Sequence, residues 1–166
     1  MSGLAEHAAA LVGRRTVYTA PEEFGAAAFR YYARAVGDHN RLYTDAGYAR
    51  THGYRDVVAP PTLVCETNQY ADLPMDAEGY AGHTWRIEIP DTRTVRGGNS
   101  YVFHRPVHPD DRITATWEIL DARVKTGRQG GEMLVVTSRA TYTNQAGERL
   151  VENTETIIFV SLEAPR

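Results

Sequence analysis

Apolar residues along the chain change period once, and that change divides a helical front part from a stranded back part. In EEFGAAAFRYYARAV the larger apolar positions Phe24, Phe29, Tyr32 and Val36 recur at near-helical spacing, and Gly37 ends the run. Thr19, Pro21, Glu22 and Glu23 supply a capped, proline-led, acidic start, so a helix is predicted over 21–36, preceded by a short strand over 14–20. The polar connection DHNRLYT follows, and then Asp45 caps a turn of helix through DAGYART before Gly53. Pro60 and Pro61 forbid a helix before them but suit a first helical turn, which predicts a second helix from Pro61 to about Tyr70 with Leu63 and Val64 in the core. Leu73 to Gly82 reads as loop.

After Gly82 the period falls to 2. Segments 85–89, 100–104, 112–124, 132–144 and 149–162 have the β-branched, aromatic and alternating character of strands, with Ile113, Ala115, Trp117 and Ile119 marking one buried face. GRQGG and NQAGE supply hairpin turns, and Gly97-Gly98 reads as a further turn. One strand, two helices and then an antiparallel meander make an α+β fold rather than a parallel βαβ sheet. A long antiparallel sheet wrapped around one apolar helix is the hot-dog arrangement.

Length and composition sharpen this picture. At 166 residues, 42% hydrophobic and 23% charged, the chain is expected to form one domain, neither disordered nor membrane-spanning. Eighteen basic against 21 acidic residues leave a charge of -3 and no basic stripe, which disfavours nucleic acid. Cys65 is the only cysteine, so no internal disulfide forms, and the N-terminal stretch lacks the pattern of a signal peptide; a cytoplasmic location is the expectation.

The most unusual local sequence is Gly37-Asp38-His39-Asn40-Arg41-Leu42-Tyr43-Thr44-Asp45, which packs acid, imidazole, amide and phenol into a loop between helices. The plain structural reading is that Gly37 is a C-cap, Asp38 and Asn40 satisfy turn amides, and Asp45 caps the next helix. Elsewhere, His104 and His108 have an H-x-x-x-H interval, but Pro106 and Pro109 prevent the helix that would align two metal ligands. Arg93, Arg96 and Arg105 fit either a solvated face or contact with a carrier's phosphates.

Residues 29–68 resemble the hydratase element of the MaoC-like dehydratases, most closely the FAS1-like dehydratase N-terminal type, and 97–159 are similar to that type as well. YARAVGD, N-x-L-Y-x-D and VVAPPT, in that order, carry the resemblance. It implies a hot dog that takes an acyl group as a thioester of coenzyme A or acyl carrier protein, interconverts 3-hydroxyacyl and trans-2-enoyl forms, and needs no metal or redox cofactor. Such chemistry requires a base, an acid and donors aimed at the enolate oxygen.

The family motif G-D-x-N-P-x-H-x-D carries over at Asp38, Asn40 and Asp45, but its His position is Tyr43. A phenol of ordinary pKa near 10 is a poor base at neutral pH, so the change costs on the order of 10²-fold or more unless His39 substitutes. The glycine that family members place at the start of the central helix is Pro61 here, which has no N–H, leaving the Thr62 N–H to face the thioester carbonyl. Thr62, Pro61, Cys65 and Gly98 are the expected substrate-binding residues, with Cys65 and Tyr70 lining an apolar slot or simply filling the core.

Both departures resemble the His-lacking subunits of heteromeric dehydratases. The expected working unit is accordingly a homodimer or a heteromer with a His-containing hot-dog subunit. Two competing readings remain: a hot-dog enzyme that adds a nucleophile other than water to an enoyl thioester or hydrolyses the thioester, and a non-catalytic acyl-binding partner.

Overall fold

In the computed structural model the described residues are 3–68, 70–127 and 130–162. Among them the element order is α1 (Gly3–Leu11), β1 (Arg15–Thr19), α2 (Ala26–Ala35), α3 (Ala46–Thr51), α4 (Leu63–Glu66), then β2 (Thr92–Phe103), β3 (Thr114–Thr126), β4 (Glu132–Thr143) and β5 (Arg149–Ser161). The strands form one five-stranded antiparallel sheet in the order β1-β3-β4-β5-β2. This is the expected α+β class.

The alternation read from the sequence is the alternation of burial. Ala115, Trp117 and Ile119 of β3, Leu134, Val136 and Ala140 of β4, and Val151 and Phe159 of β5 point into one core. Leu63, Val64 and Cys65 of α4 bury against that same cluster, so the sheet closes on the helix. α1 adds Leu4, Ala8 and Leu11 to the core, at the i, i+4, i+7 spacing of one helical face. That helix lies outside the elements expected from sequence.

Several expectations need correction. Helix α2 starts at Ala26, not at Pro21, because Gly25 at its N-cap adopts φ 77, a left-handed conformation that breaks the run from Glu22. Its end is as expected: Asp38 N–H donates to Ala33 O at 2.8 Å and Gly37 N–H to Arg34 O at 3.2 Å, the paired bonds of a Schellman stop, with Gly37 at φ 73. The second helix is four residues long instead of running from Pro61 to Tyr70; Asn68 at φ 52 ends any continuation.

Residues 85–89 are not a strand. Trp85 is buried and Ile87 and Ile89 half-buried, so the period of 2 is real, but it reports an inward face without a ladder partner, and Arg86 at φ 47 breaks the extended run. The strand expected at 100–104 begins at Thr92, and Gly97-Gly98 is a β-bulge within it, not a turn. A Cβ on Gly97 would lie 2.8 Å from Thr156 Cγ2, which explains the glycine where β2 crosses β5. The NQAGE hairpin closes as expected, Asn144 N–H donating to Glu148 O at 3.1 Å. Arg128 and Gln129 of GRQGG lie outside the described residues; Gly127 N–H donates to Gly131 O at 2.8 Å across them.

Candidate functional site

The loop after α2 places Asp38, Asn40 and Tyr43 together. Asp38 Oδ1 accepts the Asn40 N–H at 3.0 Å, and Asn40 Oδ1 accepts the Leu42 N–H at 3.0 Å, opening a 3-10 turn over Arg41–Tyr43. These bonds are the turn-forming role of Asx residues, and they use one oxygen of each side chain. The Tyr43 side chain is buried under the turn. Burial, then the facing Asp38 carboxylate, hold its phenol above the ordinary value of 10, with the Asn40 side chain acting the other way. Tyr43 is therefore a protonated donor at neutral pH, pointed at an acceptor, and not a base.

His39 is exposed and is absent from the groups acting on Tyr43, so the imidazole adjacent in sequence does not enter this cluster. Asp45 has the plain structural role: Oδ1 accepts the Tyr48 N–H at 2.9 Å as the cap of α3, and Oδ2 pairs with Arg41 at 2.6 Å, which with the cap holds its carboxyl below the usual range.

Tyr43 lines a groove of about 370 Å3 with Tyr54, Pro60, Pro61, Phe103 and His104. Its surface is mainly apolar, as an acyl group requires. Pro61 is present as expected. Thr62 lies behind it, its Oγ1 hydrogen-bonded to Tyr32 OH at 3.0 Å, which ties α2 to the start of α4. Thr62 does not itself line the groove, and a four-residue helix has little macrodipole to offer there.

Two expected site residues lie elsewhere. Gly98 is an exposed bulge residue of β2, and Cys65 faces a different cavity, its thiol pushed up to about 12 by burial and then by the Glu66 carboxylate, which makes it inert. Tyr70 is wholly buried, accepting from Trp117 Nε1 at 3.1 Å and donating to Asn68 Oδ1 at 2.7 Å; it fills core and borders only a small hollow of about 60 Å3 with Phe24 and Ile113, apart from the Tyr43 groove.

His104 is a groove residue that no local sequence signal marks as one. Its Nε2 is 2.9 Å from Glu152 Oε2 on the neighbouring strand, and it shares the groove with Tyr43. The H-x-x-x-H interval with His108 points to metal ligation, not to the groove. His108 instead turns its Nδ1 to Val57 O at 3.1 Å, and among the described residues no three His, Cys, Asp or Glu side chains converge as a metal site. Arg105 lines the groove and pairs with Glu148 at 3.2 Å, whereas Arg96 pairs with Glu155 at 3.5 Å. Among the described residues no helix is long and apolar enough to cross a membrane.

An antiparallel sheet closed on a buried apolar helix, with an apolar groove beside it, is the hot-dog arrangement. Solved structures agree on the fold: the ChsH1-ChsH2 complex from Mycobacterium tuberculosis superposes with a TM-score of 0.68 at 18% identity, covering 93% of this chain and 87% of that one. The MaoC-like dehydratase from Rhodospirillum rubrum gives 0.63 at 19% identity, covering 90% and 92%. The chain belongs to the FAS1-like dehydratase family, matching its dehydratase domain region over residues 10–153. A UPF0336 protein of Streptomyces avermitilis is 34% identical over 140 residues, 84% of this chain and 86% of that protein.

Proposed function

We propose that this chain is an acyl-thioester hydratase or dehydratase subunit, acting on an acyl-CoA or acyl carrier protein thioester with a His-bearing hot-dog subunit as its partner. The observation that carries this reading is Tyr43: a buried phenol facing Asp38 and Asn40 at the mouth of an apolar groove, where the family motif has a histidine.

In hydration, water adds across the C2–C3 double bond: its oxygen bonds to C3, one proton is taken up by a base, and a proton is delivered to C2. Asp38 and Asn40 hold the water or the 3-hydroxyl in position, and Tyr43 donates a hydrogen bond to it. The loop's one imidazole, His39, is exposed and turned to solvent, so the proton-transfer step falls to the partner's histidine. The complex named ChsH1-ChsH2, whose fold this chain shares, supports a heteromeric arrangement.

His104 favours a second reading. Its contact with Glu152 orients an imidazole in the same groove, as carboxylates orient catalytic histidines elsewhere, which would make the chain self-sufficient. The test is enoyl-CoA hydration by the pure protein, alone and after co-expression with a hot-dog subunit that carries an intact D-x-N-x-x-H motif, with products weighed by mass spectrometry. Hydration only with the partner is the expected result. Hydration by the pure protein that is lost in His104→Gln establishes the second reading. A product mass of a hydrolysed thioester, or of an adduct with a nucleophile other than water, overturns both.

A further inference from the structure

A second hollow, of about 300 Å3, is walled by Cys65 and Glu66 of α4, by residues 76–85 and by β5. Three of its lining side chains end in buried polar atoms without a protein partner: His83 Nε2, Trp85 Nε1 and Asn153 Oδ1. The three residues are 9%, 6% and 5% exposed. Each such atom costs about 1–3 kcal/mol when left unsatisfied, so three on one cavity wall need an occupant that completes them.

The wall is rigid. The His83 ring stacks on Trp117 at 4.5 Å, meets Trp85 edge-on at 4.6 Å, and its Nδ1 is 3.0 Å from Tyr18 OH. Arg14 donates to the Trp85 carbonyl at 3.0 Å, and Asn153 is clamped in the ladder between Tyr101 and Ala140.

The chemistry of the three atoms selects the occupant. Trp85 Nε1 can only donate and Asn153 Oδ1 can only accept, and a hydroxyl group does both. Burial, then Arg14, press the His83 imidazole down to about 4, so at neutral pH it carries no charge to attract an anion. Asp76, Glu66 and Glu155 set three carboxylates against the Arg96 guanidinium, which repels a carboxylate or phosphate further. A cation would meet the Trp85 N–H head-on.

We propose that this cavity is a binding site for an uncharged, hydroxyl-bearing group. That group comes either from a hydroxylated acyl chain whose thioester lies in the Tyr43 groove or from a free diol. Alternate residues of a strand share a face, and along β5 Val151 lines the groove while Asn153, Glu155 and Ile157 line the cavity. Phe103 and Asn99 of β2 follow the same order. Tyr101, between Asn99 and Phe103 on that face, donates to Glu66 of α4, so a chain passing from the groove to the cavity displaces this contact. The acyl source rests on the function proposed above; the hydroxyl site does not.

The indole N–H signals of the full chain, labelled with 15N, test this, because Trp117 already donates to Tyr70 at 3.1 Å whereas Trp85 has no acceptor. The probes are ω-hydroxydecanoyl-CoA, decanoyl-CoA and butanediol. The expected result is a downfield shift of Trp85, with Trp117 unmoved, on adding the hydroxylated thioester but not decanoyl-CoA, together with binding about tenfold tighter. Trp85→Phe and Asn153→Leu, on separate elements, each abolish that preference while decanoyl-CoA binds as before. A Trp85 shift with butanediol when neither thioester binds supports the hydroxyl site, assigns it to a free diol, and overturns the acyl-thioester reading separately. No Trp85 shift with any probe, or an equal shift with decanoyl-CoA, overturns the proposal, whether or not the thioesters bind.

Discussion

The two hollows beside α4 differ in how they are built. The Tyr43 groove takes its phenol from one loop, in which Asp38 and Asn40 act on Tyr43 from within six residues of sequence and the turn itself brings the three together. The polar cavity takes His83 and Trp85 from a segment without regular structure and Asn153 from β5, some seventy positions away, so only the folded sheet assembles it. In the groove Tyr43 faces Asp38, and His104 and Arg105 pair with Glu152 and Glu148, while the cavity keeps three polar atoms unengaged. A local motif is therefore cheap to keep, whereas the cavity's unsatisfied atoms point to a use that offsets their cost.

The segment 60–66 runs past both hollows, Pro60 and Pro61 lining the groove and Cys65 and Glu66 of α4 the cavity, so removing its anchor should disturb both. Leu63 is fully buried in the core cluster, so Leu63→Ala is expected to cost about 2–5 kcal/mol in denaturant unfolding, with loss of activity following loss of fold. A change confined to one hollow would break the idea of a common wall. Asp38→Asn acts on the groove alone: it keeps an oxygen for the Asn40 N–H but removes the charge facing Tyr43. The expected drop in the partnered hydration rate is on the order of 10²-fold, with stability within about 1 kcal/mol of the parent.

The cavity has its own signature in pH. His83 titrates lower when folded than when unfolded, so the unfolded chain takes up its proton first as pH falls. Stability from this group is complete above about 6.5, declines between there and about 4, and is level below; the loss is at most about 3 kcal/mol, reduced by whatever water reaches the ring. Denaturant midpoints across that window check it, and His83→Gln should flatten the slope without touching the groove. The smallest effect belongs to Asp45→Ala, which removes the cap of α3 and the Arg41 pair, lowers the denaturant midpoint slightly and leaves Tyr43 in place. A loss of hydration comparable with that of Asp38→Asn would mean that Asp45 reaches the site.

The same contrast explains what could be read in advance. The strands of the back half and the loop cluster were legible because a period of 2 and a run of Asx residues are local signals. Residues 85–89 show the limit: their alternation marks a face turned to the core, and whether a partner ladder lies alongside is a long-range fact. The early end of α4 depends on Asn68 adopting a left-handed backbone, which its neighbours in sequence do not dictate. Cys65 and Gly98 are expected beside Pro61 in one substrate site, yet the fold places both away from the groove, and His104 is held there by Glu152 on the next strand.

The central claim, that Asp38 and Tyr43 form the working part of an incomplete hydratase loop, is tested most directly by kcat/KM for enoyl-CoA hydration in the partnered protein carrying Asp38→Ala and Tyr43→Phe together. The account predicts a fall of at least about 10²-fold with the assembly intact by sedimentation. Full hydration activity in the double variant would contradict it.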